Sequence, residues 1–204
     1  MGVVDKLRRA MNEAYNRHYV TSRAIPDSRM VWQKDMENGS ENIKFSAPFM
    51  TVWLKNIDRI IRLAGIDCRD HHFLDVGCGK GISTIYASEK YDFKSFGGFD
   101  FEQKFVDTAR RNLEGCAVRN KRGIEFFKGD ASGIVLEEKR WFIYMFNPFS
   151  ENVMAPFIGN NAAMFRRTGS VIGYANSCEL DCIRRFSPVS VQEIPAYRCA
   201  VVKF

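Results

Sequence analysis

The chain of 204 residues contains no apolar run approaching the ~20 residues that a bilayer-crossing helix needs, so no membrane span is expected. Its opening, Met1-Gly2-Val3-Val4-Asp5-Lys6, lacks the apolar stretch of a secretory signal. Lys6 stands where a myristoylation sequence has Ser or Thr, and Asp5 and Glu13 are out of place in a mitochondrial presequence. Histidine is scarce: only three are present, His18, His71 and His72. The six cysteines (Cys68, Cys78, Cys116, Cys178, Cys182 and Cys199) are scattered, and reduced thiols in a cytoplasmic protein are the expectation. Cys178 and Cys182 are four residues apart, but two thiols with no nearby histidine fall short of a zinc site, so no metal is expected. No Ser-His-Asp or Cys-His arrangement stands out, and no G-x-x-x-x-G-K-[ST] phosphate loop is present. Internal repeats and low-complexity segments are also missing.

What remains is a globular composition, 46% hydrophobic and 26% charged, with seventeen Phe that point to a core rich in aromatic rings. The length suits one domain with a sizeable core. The net charge is +6. Residues 1–34 carry Lys6, Arg8, Arg9, Arg17, Arg23, Arg29 and Lys34 against Asp5, Glu13 and Asp27, seven against three. Arg110, Arg111, Arg119, Lys121 and Arg122 form a second basic cluster. Such faces admit nucleic acid or another acidic substrate as partner. At this modest charge, a solvated surface is the plainer reading.

The order of elements is informative. Val3, Val4, Leu7, Ala10, Met11, Ala14 and Tyr15 recur at helical spacing, which predicts an amphipathic helix over 3–18 with a basic outer face. Residues 19–46 are rich in turn formers and read as a loop or lid, giving an N-terminal segment 1–46 ahead of a domain 47–204. Ser46 and Pro48 suit the start of a helix whose stripe is Met50, Trp53, Leu54, Ile57, Ile60, Ile61 and Ala64, ended by Gly65. Strands at 73–76, 95–99, 124–127, 141–146 and 170–175 then alternate with helical patterns. The segment 131–139 is read as a short helix or loop, and Ser150 as a helix cap. Strands separated by helices pair in parallel, so the fold class is α/β, doubly wound. The last two strand patterns, 189–194 and 197–204, are joined only by Pro195-Ala196, too short a link for anything but antiparallel pairing. The expectation is a mostly parallel seven-stranded sheet with an antiparallel C-terminal hairpin and an N-terminal helical extension.

Four segments carry chemistry. The first is Phe73-Leu74-Asp75-Val76-Gly77-Cys78-Gly79-Lys80-Gly81, a strand running into a glycine-rich turn at a helix start. Gly77, Gly79 and Gly81 let the chain turn tightly and let a ligand approach the main chain, Cys78 included. The spacing is G-x-G-x-G rather than the G-x-G-x-x-G of a dinucleotide fold. Asp75, two residues earlier, is not needed for phosphate and suits a ligand with an ammonium group. The second is Asp100-Phe101, closing a strand ~20 residues beyond the turn, where an acid can take two ribose hydroxyls. The third is Gly129-Asp130-Ala131 after the next strand. The fourth is Asn147-Pro148-Phe149-Ser150, where ligands of open α/β sheets bind. The Asn147 side-chain oxygen and the Pro148 carbonyl can accept hydrogen bonds from an amine, and Phe149 can pack on a flat acceptor or near a cation.

In this order the segments resemble the class I S-adenosylmethionine-dependent methyltransferases, over about residues 47–204. The resemblance implies S-adenosyl-L-methionine as cofactor. It implies Asp75, Gly77, Cys78, Gly79 and Gly81 at the methionine end, Asp100 and Phe101 at the ribose, Asp130 and Ala131 at the adenine, and Asn147 beside the transferred methyl. Asn147, Pro148 and Phe149 would orient the methyl acceptor. Enzymes of planar amines carry Asn/Asp-Pro-Pro-Tyr/Phe at this place, whereas this chain has one Pro. The tetrapeptide is also similar to Asn-Pro-Phe segments of bacterial methyltransferase-like proteins. An amine nitrogen, or an already activated acceptor, is favoured because no side chain stands out as a general base. A small-molecule or glycan hydroxyl as acceptor, a non-catalytic cofactor binder, and a nicotinamide-dependent oxidoreductase are the other readings.

Overall fold

The structure, a computed structural model, describes residues 2–29, 52–118 and 123–204. Helix α1, Val3–Ser22, precedes α2, Leu54–Ala64. Strand β1, His72–Val76, is followed by α3, Ile82–Lys90; then come β2, Phe96–Asp100, α4, Gln103–Gly115, and β3, Ile124–Lys128. Strand β4, Trp141–Phe146, leads to α5, Glu151–Thr168; β5, Val171–Ala175, leads to a short α6, Leu180–Arg184. Strands β6, Ser190–Ile194, and β7, Cys199–Lys203, close the chain.

The seven strands form one sheet in the order β3-β2-β1-β4-β5-β7-β6. The first five are parallel, and β7 runs antiparallel both to β5 and to β6. The chain reverses from β6 into β7 through a single turn at Pro195–Tyr197, so β7 slots into the sheet and β6 becomes the edge. Strand order reverses between β1 and β4, which neighbour each other although two strands separate them in sequence. This is the point where open α/β sheets bind ligands, at the carboxyl ends of the strands.

Two apolar cores flank the sheet, because alternate strand residues face opposite sides. Phe73, Phe142 and Tyr144 face α2, α3 and α4. Leu74, Val76, Ile143, Met145 and Tyr174 face α5 and α6. Helix α2 approaches closely because Gly173 has no side chain: a Cβ there would lie 2.4 Å from Ile60 Cγ2. The connection 131–140 contains no helix, and the pattern around Cys178–Cys182 proves to include α6, which the sequence reading had not assigned.

Helix α1 forms as expected, but its orientation is the reverse of the one its apolar stripe implied. Val3, Val4, Leu7 and Met11 are 61–83% exposed, and Ala10 and Ala14 are exposed too. The packed face carries Asn12, Asn16 and Tyr19, all buried, with Tyr15 half-buried. Polar pairing fixes this orientation. The Asn16 amide donates to the Val52 carbonyl and accepts from the Leu54 amide at 3.1 Å, satisfying backbone groups at the start of α2. Tyr15 and Tyr19 pack edge-on against Tyr86 of α3.

The basic outer face is also largely spent within the chain. Arg8 binds Asp5 and the Ala196 carbonyl, Arg9 binds Glu13, Arg23 binds Glu89 and Arg29 lies near Asp27. Helix α2 begins at Leu54, with Trp53 as its extended flanking residue, and ends as expected at Gly65 in the left-handed region. Ser46, Pro48 and Met50, with the 46/47 boundary and most of the lid segment, lie outside the described residues, as do Lys34, Arg119, Lys121 and Arg122. Of the described residues, none lies in a helix long and apolar enough to cross a membrane, and no group of three or more His, Cys, Asp and Glu could hold a metal ion.

Candidate active site

The glycine-rich turn joins β1 to α3 and takes its shape from backbone geometry. Gly77, Gly79 and Gly81 all have φ between 52° and 76°, a region costly for side-chain-bearing residues. The turn is pinned to the end of β2: the Gly77 and Cys78 amides donate to the Phe99 carbonyl at 3.0 and 2.9 Å. The Gly79 amide donates to Asp100 Oδ2 at 2.9 Å, while Asp100 Oδ1 accepts from the Glu102 amide at 3.0 Å. Asp100 therefore bridges the turn and the start of α4. Cys78 is buried against Gly98, whose missing side chain makes room: a Cβ on Gly98 would lie 2.8 Å from Cys78 Cβ.

Asp75 is buried on the α3 side of β1, and one of its oxygens accepts from the Thr84 hydroxyl at 3.1 Å. Burial pushes its carboxyl up to about 7, and the negative charge of Asp100 adds to this. Burial likewise raises Asp100 to about 6, against the pull of the backbone amides it binds. The Tyr144 hydroxyl, on the residue paired with Asp75 across β4, is buried without a hydrogen-bond partner among the described residues.

The third segment lies one strand outward. Asp130 Oδ1 accepts from both the amide and the hydroxyl of Ser132, at 2.9 and 2.8 Å, so this carboxylate shapes its own turn. Ala131 is buried. Phe101 is half-buried at the turn after Asp100.

The fourth segment ends β4. Asn147 adopts a left-handed backbone, φ 40°, which turns the chain sharply away from the strand. Pro148 packs directly on the glycine turn: a Cβ on Gly77 would lie 2.4 Å from Pro148 Cβ. Phe149 is 9% exposed and edge-on to Phe157 of α5, so most of its ring serves the core rather than an open acceptor surface. Ser150 occupies the cap position of α5, but its hydroxyl makes no capping bond and is buried without a partner among the described residues. Sequence reasoning missed Tyr174. Its hydroxyl, rising from the buried β5, donates to Asn147 Oδ1 at 2.9 Å and accepts from the Glu179 amide at 3.2 Å. Within a run as apolar as 171–175, a lone phenol carried no signal of its partner.

Asp75, Gly77, Cys78, Gly79, Gly81, Asp100 and Asn147-Pro148 thus converge where β1, β2 and β4 end. Phe101, Asp130 and Ala131 extend the same rim toward β3. This rim fits a nucleoside carrying a cationic amino-acid arm. Burial raises the proton affinity of both carboxyls, and the charge of Asp100 adds to it at Asp75, a cost that a cation relieves; the side-chain-free turn leaves the main chain open to close approach.

Residues 73–169 match the model of a family described as a methyltransferase domain. Among solved structures, an RNA methyltransferase from Salinibacter ruber in complex with S-adenosyl-L-homocysteine aligns with a TM-score of 0.55 at 19% identity, over 76% of this chain and 92% of that one. The human methyltransferase 10 domain containing protein aligns with a TM-score of 0.57 at 14% identity, over 81% and 87%. A predicted N6-adenine-specific DNA methylase from Listeria monocytogenes aligns with a TM-score of 0.54 at 12% identity, over 76% and 51%. No curated protein matches by sequence. The parallel sheet with its antiparallel hairpin is the Rossmann-like methyltransferase fold. Within it, residues 73–169 carry the match to a methyltransferase domain.

Proposed function

We propose that the chain transfers the cofactor's methyl group to an acceptor held at Asn147-Pro148-Phe149, and that the acceptor atom is an amine nitrogen. The observation that carries this reading is the contact between Pro148 and the glycine turn. It sets the acceptor segment directly beside the turn that would hold the methionine end, and proximity is the main requirement of a methyl transfer. In this reading Asp75 faces the ammonium of the cofactor, the Gly77–Gly81 turn lies along its methionine arm, and Asp100 with Phe101 receives the ribose. Asp130 and Ala131 border the adenine.

Bound S-adenosylmethionine supplies an electrophilic methyl group on a positively charged sulfur. An attacking neutral amine forms the new C–N bond as the C–S bond breaks, and its surplus proton leaves to solvent. Asn147 Oδ1 already accepts from Tyr174 but has a second lone pair, which suits an amine N–H, as does the Pro148 carbonyl. Both acceptors would aim the nitrogen lone pair at the methyl. The +6 charge supports keeping nucleic acid among the candidate acceptors.

The test is transfer of labelled methyl from S-adenosylmethionine into separated nucleic-acid, protein and small-molecule fractions of a cell extract. Asp100→Ala and Asn147→Ala serve as controls. Label entering one fraction and lost in both variants supports the reading. Turnover unchanged in Asn147→Ala refutes the acceptor role, and label on oxygen refutes the amine. Tight cofactor binding with no label in any fraction favours a non-catalytic binder.

A further inference from the structure

Among the side chains of the glycine turn, Lys80 has an unusual place. It is 4% exposed, yet it lies one residue before the last glycine of a cofactor-binding turn. Its ammonium donates to Asp27 Oδ1 at 2.9 Å; burial pushes the Asp27 carboxyl up, but the hydrogen bonds and charge of Lys80 together with the hydrogen bonds from Arg29 hold it below the usual carboxylate range. A second tie runs through Asn112 of α4, which is wholly buried. Its Nδ2 donates to the Asp27 carbonyl at 2.8 Å and to the Lys80 carbonyl at 3.0 Å, and its Oδ1 accepts from the Asp27 amide at 2.9 Å. One buried amide thus fastens an N-terminal residue to the turn from both ends of its side chain.

The segment reaching Asp27 is itself seated. The Arg23 carbonyl accepts from the Ala117 amide at 2.7 Å, Arg23 pairs with Glu89 at 2.6 Å, and Ile25 is buried in the core. Pro26 lies over Gly115 so closely that a Cβ there would be 2.8 Å from Pro26 Cγ.

A turn with three glycines is entropically costly to hold in one shape. Its main-chain ties to β2 fix its first half. Lys80, in the second half, is fixed from outside, by Asp27 and Asn112. Removing Asp27 takes away one ion pair and hydrogen bond of a buried ammonium together with the anchor that Asn112 shares with the turn, and so loosens the link between the strap and the turn. We propose that Asp27 is a positioning residue for cofactor binding: through Lys80 and Asn112, the strap formed by residues 23–27 holds the glycine turn in its binding shape. Asp27 acts through Lys80 and needs no contact with the cofactor. The proposal rests on the assignment of the turn to the cofactor's methionine end.

The experiment is calorimetric titration of the full chain with S-adenosylhomocysteine, for wild type, Asp27→Ala, Asp27→Glu and Gly115→Val, with the melting temperature of each unliganded protein measured alongside. Asp27→Ala is expected to weaken binding about tenfold or more. Asp27→Glu, which keeps the carboxylate, recovers most of the loss. Gly115→Val, which lifts Pro26 without touching Asp27 or Lys80, weakens binding in the same direction. Unchanged affinity in Asp27→Ala overturns the proposal. So does a loss that Asp27→Glu fails to recover and that tracks a falling melting temperature, which would make Asp27 a fold residue only. Failure of the wild type to bind S-adenosylhomocysteine would instead remove the cofactor assignment on which the proposal stands.

Discussion

Asp75 and Asp100 show what the burial of a carboxyl costs the free protein. Both carboxyls are buried, and both hold protons more tightly than exposed carboxylates do. Between about pH 4, where an unfolded Asp ionises, and about 7, where Asp75 does so in the fold, the native state binds more protons than the unfolded one. Stability from this source therefore falls as pH rises through that window. His71, lowered by burial, contributes the opposite slope near its own range. The informative measurement is consequently the difference between wild type and Asp75→Asn in unliganded melting temperature from pH 4.5 to 8. The variant is expected to gain over wild type toward the alkaline end, and a flat difference would contradict the assigned shift. A cationic cofactor reverses the penalty, so S-adenosylmethionine binding near pH 6 should release protons. Calorimetry in buffers of different ionisation enthalpy reads this directly. In the proposed reading of Asn147 as an acceptor-orienting residue, Asn147→Ala is expected to reduce kcat by about 100-fold with little change in cofactor affinity, since misplacement of reacting atoms costs on that order.

The elements differ in how their faces were chosen. Helix α2 buries the part of its announced stripe that runs from Leu54 onward, with Leu54, Ile57, Ile60 and Ala64 fully enclosed, while Trp53 stays half-buried ahead of the helix. Helix α1 does the reverse, because Asn12, Asn16 and Tyr19 meet specific partners on α2 and α3 while its Val, Leu and Met face outward. Two substitutions separate these logics. Leu7→Glu is expected to leave stability within ~0.5 kcal/mol, as for an ordinary surface change. Asn16→Ala strands a carbonyl and an amide at the start of α2 and should cost ~1–3 kcal/mol. Urea denaturation of both variants checks the orientation of α1; equal losses would contradict it. Gly173→Ala tests the seat of α2 in the same assay. With a Cβ 2.4 Å from Ile60 and 2.9 Å from the Phe142 ring, overpacking of about 1–3 kcal/mol is expected.

At the scale of the whole molecule, the alternation of strands and helices, the short link at Pro195-Ala196 and the order of the four segments were legible in the sequence. They are local in character: hydrophobic period, glycine spacing and connection length follow from residues near one another in the chain. The sheet order places these segments on one rim, so Asp75, Asp100 and Asn147, far apart in sequence, meet at the carboxyl ends of β1, β2 and β4. What the sequence left open are pairings across long separations. Tyr174 orients Asn147 from 27 residues away, and Asn112 grips Asp27 from 85 away. The inverted α1 belongs to the same class, since its stripe spoke for a buried apolar face and only the polar partners on neighbouring helices overruled it. The basic residues of the N-terminus likewise read as a free surface until Asp5, Glu13 and Glu89 were found opposite them. Periodicity and connection length alone determined the α/β class, and the cofactor was implied by the resemblance that the four segments carry. Which polar groups face which depends on three-dimensional neighbours that no local pattern encodes, and that was decided by the tertiary structure.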